Sequence, residues 1–402
     1  MTAFTGSKIN MAGGASDYLA AAERRAGQGL PQGPPLDLNG IGIVGGGTMG
    51  AGIAAAVLLA GLPVSMVERD ARSVDAGRGR VLAILADSLT RGVIDADDHA
   101  RLVAQFSASA DYESLSQADL VIEAVFEDLT LKRRVFETLD TVAKPGAVLA
   151  SNTSYLDVGA IAGSVRDPSR VIGLHFFSPA YIMKLLELVV PDGASDAAVA
   201  TGAALGQRLR KVVVPSGVCD GFIGNRIMAA YRRACDEMVE DGALPHEVDR
   251  AMCDFGFRMG VFEMQDLAGL DIAWAMRKRR GRVPGQRYVA IADRLCELGR
   301  FGRKAGQGWY RYDDGKTPVV DPQVTALIEA ESARLGITRA PHSAAGIMAR
   351  ILTVMQSEGR AVLKEGIAAR ASDIDVVMVN GYGFPRDKGG PMYMADGAGE
   401  TT

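Results

Sequence analysis

The stretch Ile41-Gly42-Ile43-Val44-Gly45-Gly46-Gly47-Thr48-Met49-Gly50 decides the fold. Ile41, Ile43 and Val44 form a short apolar run that stops at glycines, the pattern of a buried parallel strand. The Ala- and Leu-rich segment Met49 to Ala60 follows as a helix, and Val64-Ser65-Met66-Val67 as a second strand. Two strands joined by a helix over about thirty residues make a βαβ unit. Further apolar runs are Leu120-Val121-Ile122, Ala147-Val148-Leu149-Ala150, Val171-Ile172-Gly173-Leu174 and Leu186-Glu187-Leu188-Val189-Val190, with helical segments between most of them. The alternation predicts an α/β, doubly wound sheet to about residue 215. After Pro215 the strand pattern stops. Residues 220–300 read as helices, with Phe222, Ile223, Ile227, Met228 and Tyr231 at helical spacing, and another helical segment begins near Ser343.

Before Asn39, a helical stretch from Ser16 to Arg25 leads into Gly27, Gly29, Pro31, Gly33, Pro34 and Pro35, a stiff linker. The expected organisation is therefore an N-terminal helix and linker (1–39), a dinucleotide-binding domain (40–215), a first helical domain (216–312) and a second, shortened helical unit (313–402). The two helical units read as copies. The first runs Asn225-Arg226-Ile227-Met228, Glu240-Asp241-Gly242, Asp249, Gly256-Phe257, Gly260, Met264 and Asp266. The second runs Ala349-Arg350-Ile351-Leu352, Lys364-Glu365-Gly366, Asp375, Gly383-Phe384, Gly390, Met394 and Asp396. Asn225 is matched by Ala349, so the second copy reads as structural support rather than a second site.

The glycines fit G-x-G-x-x-G, a weak pattern alone in a chain with 48 glycines. Here it follows a strand, opens a helix, and is answered by Glu68 at the end of the next strand, the full dinucleotide arrangement of a Rossmann-type fold. Gly45 allows the tight turn, Gly47 lets backbone approach the pyrophosphate, and Gly50 lets helix and strand pack closely. Thr48 and Met49 open the helix whose free N–H groups face the phosphates. Glu68 would take the ribose hydroxyls and repel a 2′-phosphate, which favours NAD, although Arg69 beside it is a residue type that binds such a phosphate.

Composition narrows the classes. The chain has 402 residues, 48% hydrophobic and 23% charged, with a net charge of -4, which argues against a nucleic-acid partner. Its four cysteines, Cys219, Cys235, Cys253 and Cys296, form no CxxC pair, and no metal site is expected. Reduced thiols predict a cytoplasmic protein. Neither a signal peptide nor an apolar run long enough to span a bilayer is expected.

Several further motifs occur in order: Glu123-Ala124-Val125-Phe126-Glu127-Asp128, Ser151-Asn152-Thr153-Ser154, Gly173-Leu174-His175-Phe176-Phe177-Ser178-Pro179, Lys184-Leu185-Leu186-Glu187 and Gly221-Phe222-Ile223-Gly224-Asn225-Arg226. With the glycine loop, they make residues 40–310 resemble the 3-hydroxyacyl-CoA dehydrogenases. Residues 305–396 extend the resemblance to multifunctional fatty-acid oxidation enzymes, in which this dehydrogenase follows an enoyl-CoA hydratase domain. The family often has Asn where this chain has Ser178.

The resemblance implies roles. His175 would be the base that takes the alcohol proton, a task suited to a side chain that titrates near neutrality. Glu187 would accept the other imidazole N–H and stabilise the imidazolium. Ser154 and Asn225 would hydrogen-bond the substrate oxygen. Asn152, Glu127 and Lys132 would line the nicotinamide-ribose side of the cofactor. Taken alone, each has a plainer reading: His175 a satisfied structural residue, Ser154 a helix cap, Glu127 and Lys132 a solvated helix start. The implied reaction is NAD-dependent oxidation of an (S)-3-hydroxyacyl-CoA to the 3-ketoacyl-CoA. The alternatives are a hydroxy acid not carried on coenzyme A, or a non-catalytic subunit of an oxidation complex. The chain reads as a stand-alone dehydrogenase or a part of a longer enzyme. The second helical copy would cover the face that single-activity relatives bury in a homodimer, which predicts a monomer, with a homodimer as the alternative.

Overall fold

Eight strands form one sheet in the order β3-β2-β1-β4-β5-β6-β7-β8, where β1 is Ile41–Val44, β2 Val64–Val67, β3 Phe106–Ser109, β4 Leu120–Glu123, β5 Val148–Ser151, β6 Val171–Phe176, β7 Leu185–Val189 and β8 Val212–Ser216. Every pairing is parallel except β6 with β7. The computed structural model describes residues 14–31, 33–281 and 285–397. Strand order reverses at β1, between β2 and β4, and the carboxyl ends of these strands are where such sheets hold ligands.

Side chains alternate across the sheet. Ile41, Ile43, Val64, Met66, Leu120 and Ile122 pack with helices Thr48–Leu59, Ala71–Thr90 and Asp196–Arg208. Val44, Val67, Val121, Leu149 and Val171 pack on the opposite face with Leu129–Val142 and Val158–Ala162. Strands covered on both faces need apolar residues at every position, which is why the central ones read as continuous runs. Two strands lack that signature. β3 buries only Phe106 of Phe-Ser-Ala-Ser. β8 contains Pro215, which an edge strand tolerates because its missing N–H faces away from the ladder.

The chain divides into two units. The first runs to Arg226 and resumes over Arg360–Tyr382 and from Arg386; the second holds Ile227–Gly359 and Gly383–Pro385. The first unit contains the sheet. It also contains the helix Gly14–Arg25, which docks on the C-terminal helices Ala371–Tyr382 and Pro391–Gly397. Leu19 and Ala22 are buried there, the Tyr18 hydroxyl donates to Asp375 (2.7 Å), and Arg386 and Asn380 both reach Glu23. The second unit is helical. In it the Asp266 carboxylate accepts from the backbone N–H groups of Trp309 and Tyr310 (both 2.9 Å) and from the Tyr312 hydroxyl, pinning the Gly- and aromatic-rich loop after Lys304.

Two buried aspartates in the helical regions are used in the same way. Asp249 accepts from the N–H groups of Phe262 and Glu263 and from the Tyr310 hydroxyl (2.7 Å). Asp375 accepts from the N–H groups of Met392 and Tyr393 and from the Tyr18 hydroxyl. Each aspartate thus satisfies orphan donors at the start of the following helix. A Cβ on Gly260 or on Gly390 would stand 2.2 Å from its aspartate, so both positions need glycine.

Candidate active site

The glycine loop leaves β1 at Gly45, whose φ of +99° suits only glycine. A Cβ on Gly50 would lie 1.8 Å from the Gly45 carbonyl oxygen, whereas one on Gly47 would meet nothing within 4 Å. Gly50 is thus closed by helix–strand packing, and Gly47 is open to an approaching ligand. Gly47 caps the helix Thr48–Leu59 without a side-chain bond, leaving its first N–H groups free to meet an anion. A cavity of about 430 Å³ adjoins the loop, lined by Gly45, Gly47, Glu68, Arg69, Arg80 and Tyr112 among others. Glu68 sits at the carboxyl end of β2 and accepts from the Gly46 N–H (2.6 Å). Arg69 is 83% exposed and paired with Asp70, so it is turned to solvent. The arginine that contacts the loop is Arg80, which donates to the Gly46 carbonyl (3.0 Å). It lies on the helix after β2, where no motif marks it. An open glycine, free helix N–H groups and a carboxylate at the end of β2 fit a dinucleotide.

Buried charge supports the next loop. Glu123, at the end of β4 and fully buried, accepts from the Val125 N–H, the Ser151 hydroxyl and the Lys132 ammonium (2.6 Å). Lys132 is 1% exposed and also lies 3.4 Å from Glu127. Glu127 accepts from the Thr153 hydroxyl and from the N–H groups of Ser154 and Tyr155. The two carboxylates and the lysine therefore hold the 151–155 loop, and Glu123 is the member that sequence reasoning did not single out. Its signal was a lone acid closing an apolar strand. Asn152 accepts from the Phe176 N–H through Oδ1 (2.9 Å), which leaves its Nδ2 to donate. The helix Val158–Ala162 is capped by Asp157, so Ser154 is not its cap.

His175 and Glu187 are paired residues of the antiparallel strands β6 and β7. Directly opposed positions bring the side chains together, and His175 Nδ1 lies 2.7 Å from Glu187 Oε2. His175 is 4% exposed and Glu187 fully buried. The other carboxylate oxygen accepts from the N–H groups of Ile223 and Gly224 (both 3.1 Å), at the start of the helix Gly224–Asp241. A carboxylate can only accept, so Nδ1 carries a proton and Nε2 is the ring's basic atom. The rings of Phe177 (4.5 Å) and Phe222 (5.7 Å) flank the imidazole. The same helix start carries Asn225, whose Nδ2 lies 3.3 Å from the Ser154 carbonyl. Ser154, His175, Glu187 and Asn225 therefore belong to one continuous network of contacts.

Residues 40–219 match the 3-hydroxyacyl-CoA dehydrogenase NAD binding domain and residues 221–312 its C-terminal domain. The chain is 41% identical to the peroxisomal bifunctional enzyme of Danio rerio over 380 residues, 91% of this chain and 52% of that protein. It is 38% identical to the peroxisomal bifunctional enzyme of Homo sapiens, over 96% of this chain and 56% of that one. The chain thus spans about half the length of the curated relatives it matches. Among solved structures, 3-hydroxybutyryl-CoA dehydrogenase from Escherichia coli superposes with a TM-score of 0.74 at 25% identity, covering 91% of this chain and 92% of that one. The dehydrogenase part of multifunctional enzyme 1 from C. elegans gives 0.66 at 27% identity, covering 92% and 87%.

These relatives correct one expectation. The bifunctional enzymes are named as peroxisomal, which overturns the cytoplasmic location inferred from cysteine usage. Free thiols report a reducing environment and do not distinguish one such compartment from another. No described helix is long and apolar enough to cross a membrane. With both domain models matched in order and relatives near 40% identity along nine-tenths of its length, the chain belongs to the 3-hydroxyacyl-CoA dehydrogenase family and carries that family's NAD-binding domain.

Proposed function

We propose that the chain oxidises the 3-hydroxyl of an (S)-3-hydroxyacyl thioester of coenzyme A to the ketone, reversibly, as in the dehydrogenation step of fatty-acid beta-oxidation. The observation that carries this reading is the buried His175–Glu187 pair at 2.7 Å, on neighbouring strands of the sheet. Bound NAD supplies the hydride acceptor. His175 takes the hydroxyl proton at Nε2, and Glu187 holds the imidazole in that tautomer and stabilises the cation that forms. Asn225 Nδ2 and the Ser154 hydroxyl donate to the oxygen, most strongly where negative charge builds on it during reduction of the ketone. The loop Gly45–Gly50, with Thr48 and Met49, presents N–H groups to the pyrophosphate, and Glu68 takes the adenosine ribose hydroxyls. Asn152, Glu127 and Lys132 shape the nicotinamide side, the last two by holding the loop that carries Ser154.

Family membership and the name of the E. coli structure support a coenzyme A thioester. The test is NADH oxidation with acetoacetyl-CoA, repeated with free coenzyme A as competitor. Turnover with competitive inhibition is expected. A folded, NADH-binding protein that leaves acetoacetyl-CoA untouched would sink the substrate assignment. Turnover of hydroxy acids indifferent to coenzyme A would move the chain to substrates not carried on it.

A further inference from the structure

The helix Ala371–Tyr382 lies in the second helical copy, the one whose Ala349 stands in place of the first copy's Asn225. Its last residue nevertheless reaches the first copy's site. The Tyr382 hydroxyl lies 2.9 Å from Asn225 Oδ1, and Asn225 Nδ2 lies 3.3 Å from the Ser154 carbonyl oxygen. A carbonyl can only accept, so the amide atom facing Ser154 is the nitrogen. The atom facing Tyr382 is then the oxygen, and the phenol donates to it. An asparagine amide has two nearly isosteric orientations, and these two contacts select one. The Tyr382 ring is itself seated. It lies edge-on to Phe177, with centroids 5.5 Å apart at 82°, and Phe177 is the ring against His175. Gly224 makes room for it, since a Cβ there would stand 2.2 Å from the Tyr382 ring.

We propose that Tyr382 is a positioning residue for the dehydrogenation, supplied by the second copy, which holds Asn225 with its N–H side toward the reacting oxygen. This rests on the reading of Asn225 as a donor to that oxygen. One Nδ2 hydrogen is engaged by the Ser154 carbonyl, and the second remains for the substrate. Without the phenol, only the 3.3 Å contact to the Ser154 carbonyl holds the amide, and an amide turned the other way presents its carbonyl to an oxygen that is gaining negative charge. The donor's value depends on its being aimed before the charge develops. The second copy, with Ala349 where the first has Asn225, donates a hydroxyl to the first copy's asparagine.

The test pairs Tyr382→Phe with Asn225→Ala. Removing an oxyanion donor costs about 10²–10³ in kcat, and losing only its orientation should cost a part of that, about tenfold. Tyr382→Phe should lower kcat by this amount with NADH affinity and melting temperature unchanged. In the Asn225→Ala background the same change should have less than about a twofold effect, because the two act as one unit. An equal loss in both backgrounds overturns the proposal, and so does an unchanged kcat for Tyr382→Phe while Asn225→Ala is impaired; in the latter case the assignment of Asn225 survives. If Asn225→Ala itself leaves kcat intact, the assignment of Asn225 and the proposal fall together. A second readout needs no turnover. The Asn225 side-chain amide resonances, identified by their loss in Asn225→Ala, should shift in Tyr382→Phe. Unchanged resonances refute the proposal whatever the substrate proves to be.

Discussion

Glu187→Gln separates the chemistry of the buried pair from its packing. Glutamine has the shape of glutamate, so its oxygen can continue to accept from the Ile223 and Gly224 N–H groups. Its NH₂ group then faces His175 Nδ1 across the 2.7 Å contact. Two donors cannot share that contact, so Nδ1 must become the acceptor and the ring proton moves to Nε2. The atom proposed to take the substrate's proton is then already protonated. The corresponding change in a serine-protease triad lowers kcat by about 10⁴ for the same reason. General acid–base catalysis by one side chain is worth about 10²–10⁴, so kcat should fall within that range, which is about 3–5 kcal/mol of barrier. The fold should survive, because a neutral side chain replaces a fully buried charge and both N–H donors keep their partner. Glu187→Ala would be a poorer probe: it strands those donors at a helix start, at about 1–3 kcal/mol each. The assay is reduction of NAD by an (S)-3-hydroxyacyl-CoA under saturation, the direction in which Nε2 must accept the proton, with NADH binding followed by fluorescence. A kcat within about threefold of the wild type would refute the tautomer argument.

Gly50→Ala places a methyl carbon 1.8 Å from the Gly45 carbonyl oxygen. The helix must move off the strand, and NADH affinity measured by titration should fall by at least about tenfold, in keeping with the close packing this glycine permits; unchanged affinity would remove the loop from the cofactor site. Burial lifts Asp249 to about 6 and Asp375 to about 7 against the pull of their N–H and Tyr hydroxyl donors. A carboxyl raised in the fold binds its proton more tightly there than in the unfolded chain. Its contribution to stability is complete below about pH 4 and is lost as pH rises through 6 to 7. The urea midpoint should therefore decline across this window, and Asp375→Asn should flatten the decline; an identical pH slope in the variant contradicts it. If the second copy takes the place of a partner chain, light scattering at micromolar concentration should report a monomer, and a stable dimer through residues 220–300 would end that proposal.

The readable parts of the chain were those where one local pattern carried the structure. β1, β4 and β5 are buried on both faces and appear as apolar runs, and the loop after β1 is marked by glycines that packing demands. β3 escaped because an edge strand with one buried residue has no period to detect, and β8 because Pro215 looks like a terminator until the strand's edge position is known. In the site, His175 and Glu187 were legible from motifs twelve residues apart, but their pairing is a consequence of antiparallel register. Glu123 and Arg80 act through contacts that follow from the fold rather than from spacing. Tyr382 meets Asn225 across 157 residues of chain, a separation at which no periodicity survives.

The segments around Asp249 and Asp375, which the sequence pattern pairs as copies, share one arrangement. Both keep an aspartate that accepts two N–H groups at the next helix start, and both keep a glycine where any side chain would strike that aspartate. Both aspartates also receive a tyrosine hydroxyl, but from different parts of the chain: Tyr310 lies near the end of the same helical domain as Asp249, and Tyr18 precedes the whole sheet. The aspartate needs a third donor because it is buried, and the fold supplies one from whichever segment passes nearby. This explains why the helix Gly14–Arg25 is docked rather than loose, although its own sequence suggests little more than a lead-in to a linker. Tyr18→Phe should accordingly loosen that helix. Limited proteolysis should cut earliest between residues 26 and 39, while Tyr310→Phe should leave that cleavage rate unchanged. Equal cleavage in wild type and Tyr18→Phe would mean that the Glu23 contacts with Arg386 and Asn380 hold the helix without the hydroxyl.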